Sequence, residues 1–185
     1  MEDIITSNIY LLILLTPLAI VAYLLIPMIW GAGYAPSPKR DVAEILRYSV
    51  DKYLAGKEDL EIIDLGSGFG GVCFKALEVF PRARCTGVEI DPLKVMWSRI
   101  ASRFKKCRER ARFIWGNIFD IDLRGYDLIY MFLWPPTVEK IEDKILREAN
   151  RPVVVISLEH PLKKIYRERY RDFYIGFYQI NTALA

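Results

Sequence analysis

The residues best suited to chemistry in this 185-residue chain lie in the segment D-L-G-S-G-F-G-G, which begins at Asp64. Glycines after an apolar run let the backbone turn tightly and let a ligand approach it closely. Two nucleotide-binding patterns fit the segment, and both use Gly66 and Gly68. The pattern G-x-G-x-x-G adds Gly71, whereas D-x-G-x-G-x-G adds Asp64 and Gly70.

Acidic side chains near this segment favour one class of cofactor. A carboxylate at Asp64 would repel the pyrophosphate of NAD, whereas S-adenosylmethionine has no phosphate and carries a cationic ammonium and sulfonium. Glu89 ends the next predicted strand, where an acid can accept the ribose hydroxyls of either cofactor. Asn117 follows the third strand, where it can face adenine or cap its own loop. The pattern favours S-adenosylmethionine, with solvated strand-end carboxylates as the alternative for both acids.

The rest of the sequence predicts a scaffold that brings these strand ends together. Strands separated by helices are predicted at residues 60–65, 85–90, 111–116, 126–133 and 152–158. Alternating strands and helices indicate a parallel sheet that is covered on both faces. The alternating, aromatic tail at 166–180 predicts a terminal antiparallel hairpin. The predicted fold class is α/β, a doubly wound, mostly parallel, seven-stranded Rossmann-like sheet with a C-terminal antiparallel hairpin.

Two predicted helices have apolar residues at helical spacing. The first is capped by Ser37, has Pro38 in its first position, and ends near Gly56. Its apolar stripe consists of Val42, Ile45, Leu46, Val50 and Leu54. The second helix opens at Asp91-Pro92, and the apolar residues at its spacing are Leu93, Met96, Ile100, Phe104, Cys107 and Ala111.

The N-terminal residues differ in kind from the rest. No charged residue lies between Asp3 and Lys39, and residues 9–30 are predominantly apolar. A helix of this length is about 33 Å long, enough to cross a hydrocarbon core of about 30 Å. The basic residues follow the apolar run, so the positive-inside rule places the remainder in the cytosol. We predict a transmembrane anchor at 1–30, in contact with membrane lipid, and a cytoplasmic domain at 31–185.

Composition and charge exclude several other classes of protein. With 13% aromatic residues and three cysteines, the chain is neither disordered nor a disulfide scaffold. The cysteines are odd in number and lack metal-ligand spacing, so we expect a reducing compartment and no metal site. One helix surface is basic, which indicates a solvated face, a face that binds RNA or one attracted to anionic lipid headgroups. Its residues are Lys94, Arg103, Lys105, Lys106, Arg108 and Arg110.

Four segments in order resemble a known enzyme family. G-A-G-Y-A-P-S-P, D-L-G-S-G-F-G, G-V-E-I-D and G-N-I-F-D are similar to segments of class I S-adenosylmethionine-dependent methyltransferases of the protein-lysine type. The resemblance is to the archaeal broad-specificity enzymes and the mitochondrial ATP synthase c-subunit lysine methyltransferases, and covers about residues 31–160. It implies that Tyr34 and Ser37 close over the methionine end of the cofactor. The predicted cofactor-binding set is Tyr34, Ser37, Asp64, Gly66, Ser67, Gly68, Gly70, Glu89, Asn117 and Ile118.

The acceptor site is predicted at the end of the fourth strand, where Phe132, Leu133 and Trp134 lie. Parallel sheets present ligand crevices at such ends. An apolar aromatic slot lowers the pKa of a lysine and tolerates the methylated cation. Because such a slot itself favours the neutral amine, we assign no general base. The alternative interpretation is that Phe132, Leu133 and Trp134 are ordinary core residues. The chain departs from the family at these three residues. It also departs at Phe69, where the family has an acidic residue that makes a loop contact.

The sequence leaves three functions open. They are methylation of lysines in membrane-associated or soluble proteins; methylation of a lipid amine or hydrophobic small molecule; and cofactor binding without turnover. A nucleic-acid substrate is not favoured, because Trp134 stands where base-amino methyltransferases need an acceptor for the exocyclic amine. His160, the single histidine, is interpreted as a loop residue.

Overall fold

The computed structural model describes residues 9–19, 21, 37–55 and 57–179. The chain divides into two compact units, Met1–Ala35 and Pro36–Ala185. In the first, residues 9–19 form helix α1, whose large apolar side chains are 48–72% exposed. Residues 1–8, 20 and 22–30 of the predicted anchor lie outside the described residues. Within the part of the chain that is described, no helix has the length and apolar character needed to cross a membrane.

The second unit is built on one seven-stranded sheet. Its strands are β1 (Glu61–Leu65), β2 (Arg84–Glu89), β3 (Ala111–Trp115), β4 (Leu128–Met131), β5 (Val153–Leu158), β6 (Tyr166–Tyr170) and β7 (Phe173–Tyr178). Across the sheet they follow the order β3-β2-β1-β4-β5-β7-β6. The first five pair in parallel, whereas β7 is antiparallel to both β5 and β6. The predicted α/β sheet with its terminal hairpin is confirmed.

Helices cover both faces of the central strands. They are α2 (Lys39–Tyr53), α3 (Gly71–Val79), α4 (Pro92–Phe104) and α5 (Pro135–Glu148). Apolar residues of α2, α3 and α4 pack with Ile62 on one face of the sheet, and those of α5 pack with Ile63 on the other. Burial on both faces explains why the central strands are runs of apolar residues without polar alternation.

Helix α2 confirms its predicted apolar stripe but not its predicted cap. Its residues Val42, Ile45 and Leu46 are almost completely buried. The helix begins at Lys39 after Pro38, and no side chain caps its N-terminus. The Ser37 hydroxyl instead accepts a hydrogen bond from a tyrosine of β4. The side chain that could have capped the helix is therefore used in a contact with the sheet.

The prediction of one helix that also includes Cys107 and Ala111 was wrong, and the apolar residues at helical spacing do not form its buried face. Helix α4 ends at Phe104, and it buries Val95, Ser98 and Ser102. The small serines allow the helix to pack closely onto the neighbouring elements. Four of the apolar residues at helical spacing are instead 39–82% exposed, namely Leu93, Met96, Ile100 and Phe104.

The expectation of reduced cysteines was wrong for one pair. Cys73 of α3 and Cys85 of β2 form a disulfide, with their Cα atoms 5.4 Å apart, and Cys107 is free and buried. Helix α3 packs on β2, which brings together two residues that are 12 positions apart in sequence. Among the described residues, no group of three or more His, Cys, Asp or Glu side chains could hold a metal ion.

Candidate active site

The turn after β1 shows which glycine pattern applies. Gly66, Gly68 and Gly70 have φ angles of +83°, +52° and +78°, in the left-handed region that favours glycine. A Cβ at Gly70 would lie 2.7 Å from the ring of Phe113, whereas a Cβ at Gly71 would meet no atom within 4 Å. The structure therefore needs the glycines of D-x-G-x-G-x-G and does not need the last glycine of G-x-G-x-x-G.

Main-chain hydrogen bonds hold this glycine loop against β2. The N–H groups of Gly66 and Ser67 both donate to the Val88 carbonyl at 2.9 Å. The N–H of Gly68 donates to Oε2 of Glu89, also at 2.9 Å. The loop is thus fixed to the end of β2 before any ligand binds, which lowers the entropy cost of binding.

Glu89 has a structural role that the sequence did not reveal. It is 8% exposed, and its second oxygen, Oε1, accepts the N–H of Asp91 at 3.0 Å. The carboxylate therefore connects the glycine loop to the start of α4. A carboxylate offers about four acceptor sites, so these two bonds leave capacity for the predicted contact with ribose hydroxyls.

Asp64 is the most perturbed acid of the site. It is 3% exposed, and its Oδ2 has no hydrogen-bond partner among the described residues. Burial, together with the nearby negative charge of Glu89, raises the pKa of Asp64 to about 8. An unsatisfied buried carboxylate is costly, and a cation placed against it would remove that cost. The donor set therefore suits the ammonium and sulfonium of S-adenosylmethionine, whereas two buried acids would repel a pyrophosphate.

Tyr130 joins this site, and the sequence analysis missed it. It lies opposite Asp64 in the β1–β4 ladder, is 1% exposed, and donates from its hydroxyl to Oγ of Ser37 at 2.9 Å. Burial, with the charge of Asp64 as a further cause, raises the pKa of Tyr130. The family resemblance assigned Ser37 to the cofactor, and the structure shows that a residue of the sheet holds its side chain. Tyr34, the other residue assigned in this way, lies outside the described residues. The sign of this role in the sequence was that Tyr130 is the single tyrosine in the otherwise apolar segment L-I-Y-M.

Asn117 and Ile118 lie just beyond the end of β3. The Asn117 side chain is exposed, and its Oδ1 accepts the N–H of Phe119 at 3.1 Å, which is the loop-capping role. Ile118 is half-buried against the apolar cluster on the α5 side. The N–H of Gly116 donates to the carbonyl of Glu89 at 3.0 Å, so this loop starts beside the acid that holds the glycine loop.

The three acceptor candidates do not share one face of the sheet. Phe132 packs towards α2 and α3, with its ring centre 6.3 Å from that of His160. Leu133 packs towards α5, and its Cδ2 lies 3.1 Å from the position of a Cβ on Gly66. Trp134 is 60% exposed at the start of α5. Leu133 is therefore the candidate that contacts the glycine loop.

The pair Gly70→Ala and Gly71→Ala tests the loop geometry. At Gly70 an added methyl is strained by the positive φ and collides with Phe113, a cost of about 1–3 kcal/mol. We expect Gly70→Ala to weaken S-adenosylmethionine binding by about tenfold or more in calorimetry, and Gly71→Ala to bind within about twofold of the wild type. Equal losses in the two variants would contradict the assigned pattern.

Asp64→Asn tests the buried charge. A folded-state pKa raised above the ordinary value gives stability that is complete below the unfolded pKa and is lost as pH rises towards 8. We expect the cofactor-free wild type to lose free energy of unfolding between about pH 5 and pH 8, and Asp64→Asn to lose less. We also expect the variant to bind S-adenosylmethionine about 30-fold or more weakly.

Denaturant titrations at several pH values and calorimetry measure both effects. Asp51→Asn, on the exposed surface of α2, is the matched control and should behave as the wild type. A variant that binds the cofactor normally would show that Asp64 is not in contact with it.

Two known proteins with similar sequences are methyltransferases. Residues 64–169 match the family described as the ANTKMT methyltransferase domain. A protein-lysine N-methyltransferase from Saccharolobus islandicus (strain REY15A) is 25% identical over 130 residues, which cover 70% of this chain and 78% of that protein. Norajmaline N-methyltransferase from Rauvolfia serpentina is 23% identical over 139 residues, covering 70% of this chain and 46% of that enzyme.

Solved structures show the same fold. An RNA methyltransferase from Salinibacter ruber, in complex with S-adenosyl-L-homocysteine, superposes with a TM-score of 0.68 at 22% identity, covering 79% of this chain and 94% of that one. The family match extends over more than half of the chain, including Asp64, the glycine loop and β4. The chain belongs to the ANTKMT methyltransferase domain family and is an S-adenosylmethionine-dependent methyltransferase.

Proposed function

We propose that this enzyme transfers methyl groups to the ε-amino groups of lysine side chains in proteins. The observation that carries the proposal is the contact between the apolar end of β4, at Leu133, and the glycine loop at Gly66. It gives an acceptor an apolar surface beside the cofactor loop. The similarity to a protein-lysine N-methyltransferase supports a lysine acceptor.

The residues of this chain would bind and orient the reactants. S-adenosylmethionine, when bound, supplies a methyl group on a positively charged sulfur. Asp64 would hold the cationic end of the cofactor, and the Glu89-bound loop would hold its remainder. Transfer needs a neutral amine in line with that methyl, and correct positioning supplies much of the rate acceleration.

The apolar end of β4 favours the neutral form of the acceptor. A lysine amine that leaves water beside Leu133, the candidate that contacts the glycine loop, loses solvation of its charge, so its pKa falls. The proton then passes to water before transfer. His160 is the only histidine of the chain, and its ring packs beside Phe132. We assign it a packing role, and no side chain is needed as a general base.

We further propose that the enzyme is attached to a membrane through residues 1–30 and that residues 31–185 form the catalytic domain on the cytoplasmic side. The apolar run at 9–30 and the exposed apolar side chains of α1 support the proposal. Attachment would confine the enzyme to a surface and raise its effective concentration towards membrane-bound substrates.

An amine on a lipid or a hydrophobic small molecule is the second candidate acceptor. The similarity to norajmaline N-methyltransferase and the apolar character of Phe132, Leu133 and Trp134 favour it. It shares the requirement for a neutral amine, so the chemistry of the site alone does not separate the two acceptors.

An incubation with methyl-labelled S-adenosylmethionine and a host membrane fraction separates these functions. We expect acid-stable label in a protein band, recovered as methyl-lysine after delipidation. The Asp64→Asn variant, which we expect to bind the cofactor more weakly, is the control with reduced labelling. Label confined to the organic extract, or cofactor binding without any label in protein, would contradict the lysine proposal.

Two variants test the roles at the end of β4. Trp134→Ala removes an exposed ring, so we expect the turnover number to fall by about tenfold with little loss of stability. His160→Gln should keep the wild-type pH profile, with a rate that rises with pH as the amine loses its proton. Tyr166→Ala, an exposed aromatic on β6, is the matched control. A His160→Gln profile that has lost one titration would make His160 the base.

A further inference from the structure

Helix α4 presents a large apolar surface to solvent. The large apolar side chains that form this surface are 39–82% exposed, although residues of their size and type are usually buried in a core. Contiguous apolar surface of this kind marks an interaction site. We call it the α4 surface, and its members are Leu93, Met96, Trp97, Ile100, Phe104 and Trp115.

Hydrogen bonds hold the side of this surface that lies against β3. The indole N–H of Trp115 donates to the carbonyl of Ile90 at 3.0 Å. The guanidinium of Arg99 donates twice to the carbonyl of Phe113, at 3.0 and 2.9 Å. Between them runs a groove of about 350 Å³, which Met96 also lines. The surface is therefore a formed feature of the fold.

The segment around the α4 surface is strongly basic. Residues 94–112 include eight basic side chains and one acidic one, Glu109, in a chain whose net charge is +3. Arg103, Lys106 and Arg108 are exposed, and no carboxylate of the described residues pairs with them. These charges are available to an anionic partner.

We propose that the α4 surface binds an anionic lipid bilayer. Tryptophan, phenylalanine and aliphatic side chains beside exposed arginines and lysines are the composition of helices that lie in a membrane interface. Anionic headgroups attract basic residues that lie near the bilayer surface. The proposal requires neither a lysine substrate nor the anchor at 1–30.

Other partners fit the α4 surface less well. A second copy of the chain would bring two strongly basic segments together, and like charges repel. Nucleic acid would suit the charge and the aromatic rings, but the aliphatic side chains Leu93, Met96 and Ile100 offer a base no stacking face. A bilayer accommodates both the aliphatic and the basic components.

Single-tryptophan variants of the full chain test the proposal directly. One variant keeps only Trp97, on the α4 surface, and the other keeps only Trp134, at the start of α5; they are 57% and 60% exposed. Helices α4 and α5 lie on opposite faces of the sheet, so the pair is matched in exposure and differs in location. The remaining tryptophans are replaced by phenylalanine.

Each variant is reconstituted into vesicles of phosphatidylcholine with about a third phosphatidylglycerol and bromine-labelled acyl chains. We expect the emission of Trp97 to shift to the blue and to be quenched about twofold or more, and that of Trp134 to change little. Equal quenching of the two residues, or none at Trp97, would overturn the proposal.

Charge reversal tests the electrostatic part. Arg103→Glu with Arg108→Glu, placed in the Trp97-only chain, should remove most of the quenching. Arg167→Glu with Arg169→Glu, on β6 at the other edge of the sheet, makes the same change in net charge and should not. Wild-type affinity for S-adenosylmethionine first confirms that both variants are folded.

Two results would assign the α4 surface to another partner and overturn the proposal. A Trp97 emission that is already blue-shifted without vesicles would show that protein covers it. Binding of single-stranded RNA, lost on reversal of Arg103 and Arg108 and without quenching by lipid, would make it a nucleic-acid surface.

Discussion

The buried carboxylate of Asp64 is the constraint on which the rest of the site depends. It lies one residue before the end of β1, a strand inside the sheet, with an unsatisfied oxygen and the acidic side chain of Glu89 nearby. Two acids in a poorly solvated place destabilise the folded chain unless a cation or a proton joins them. S-adenosylmethionine would bring such a cation, and removing the cost of the unsatisfied carboxylate would then add to the affinity for this cofactor.

The glycine loop exists in its observed form because of its neighbours. Phe113 fills the space beneath Gly70 and Gly87 so fully that a single Cβ would collide with its ring. Glu89 then fixes the loop from the other side through the N–H of Gly68. The same acid binds the N–H of Asp91 at the start of α4, so the loop and the helix are positioned by one side chain. The disulfide between α3 and β2 adds a covalent link next to this loop.

Much of the fold could be predicted because its signals are local. The central strands are apolar runs, and the glycine segment follows the first of them. The alternation of these strands with helices was therefore enough to indicate a parallel sheet. The acids at Asp64 and Glu89 could be found for the same reason, since each lies at or next to the end of a recognisable strand. Apolar spacing shows which residues of a helix share a face, but not whether that face packs. For α4 the buried face consists of Val95, Ser98 and Ser102.

The features that the sequence did not reveal all depend on contacts between distant residues. The hydrogen bond from Tyr130 to Ser37 joins residues 93 positions apart. A residue type that can cap a helix was therefore used for a tertiary contact. Likewise, Asn117 could have faced a ligand or capped its loop, and only the three-dimensional structure shows that its oxygen binds the N–H of Phe119.

The most direct test of the account is the number of protons released when S-adenosylmethionine binds. With the pKa of Asp64 at about 8, this carboxyl is mostly protonated at about pH 6.5, whereas the amine of the cofactor is already charged there. Calorimetry in buffers of different ionisation enthalpy should report the release of about one proton per cofactor, and the affinity should rise with pH up to about 8. Tight binding without proton release, and with an affinity independent of pH, would contradict the central role of Asp64.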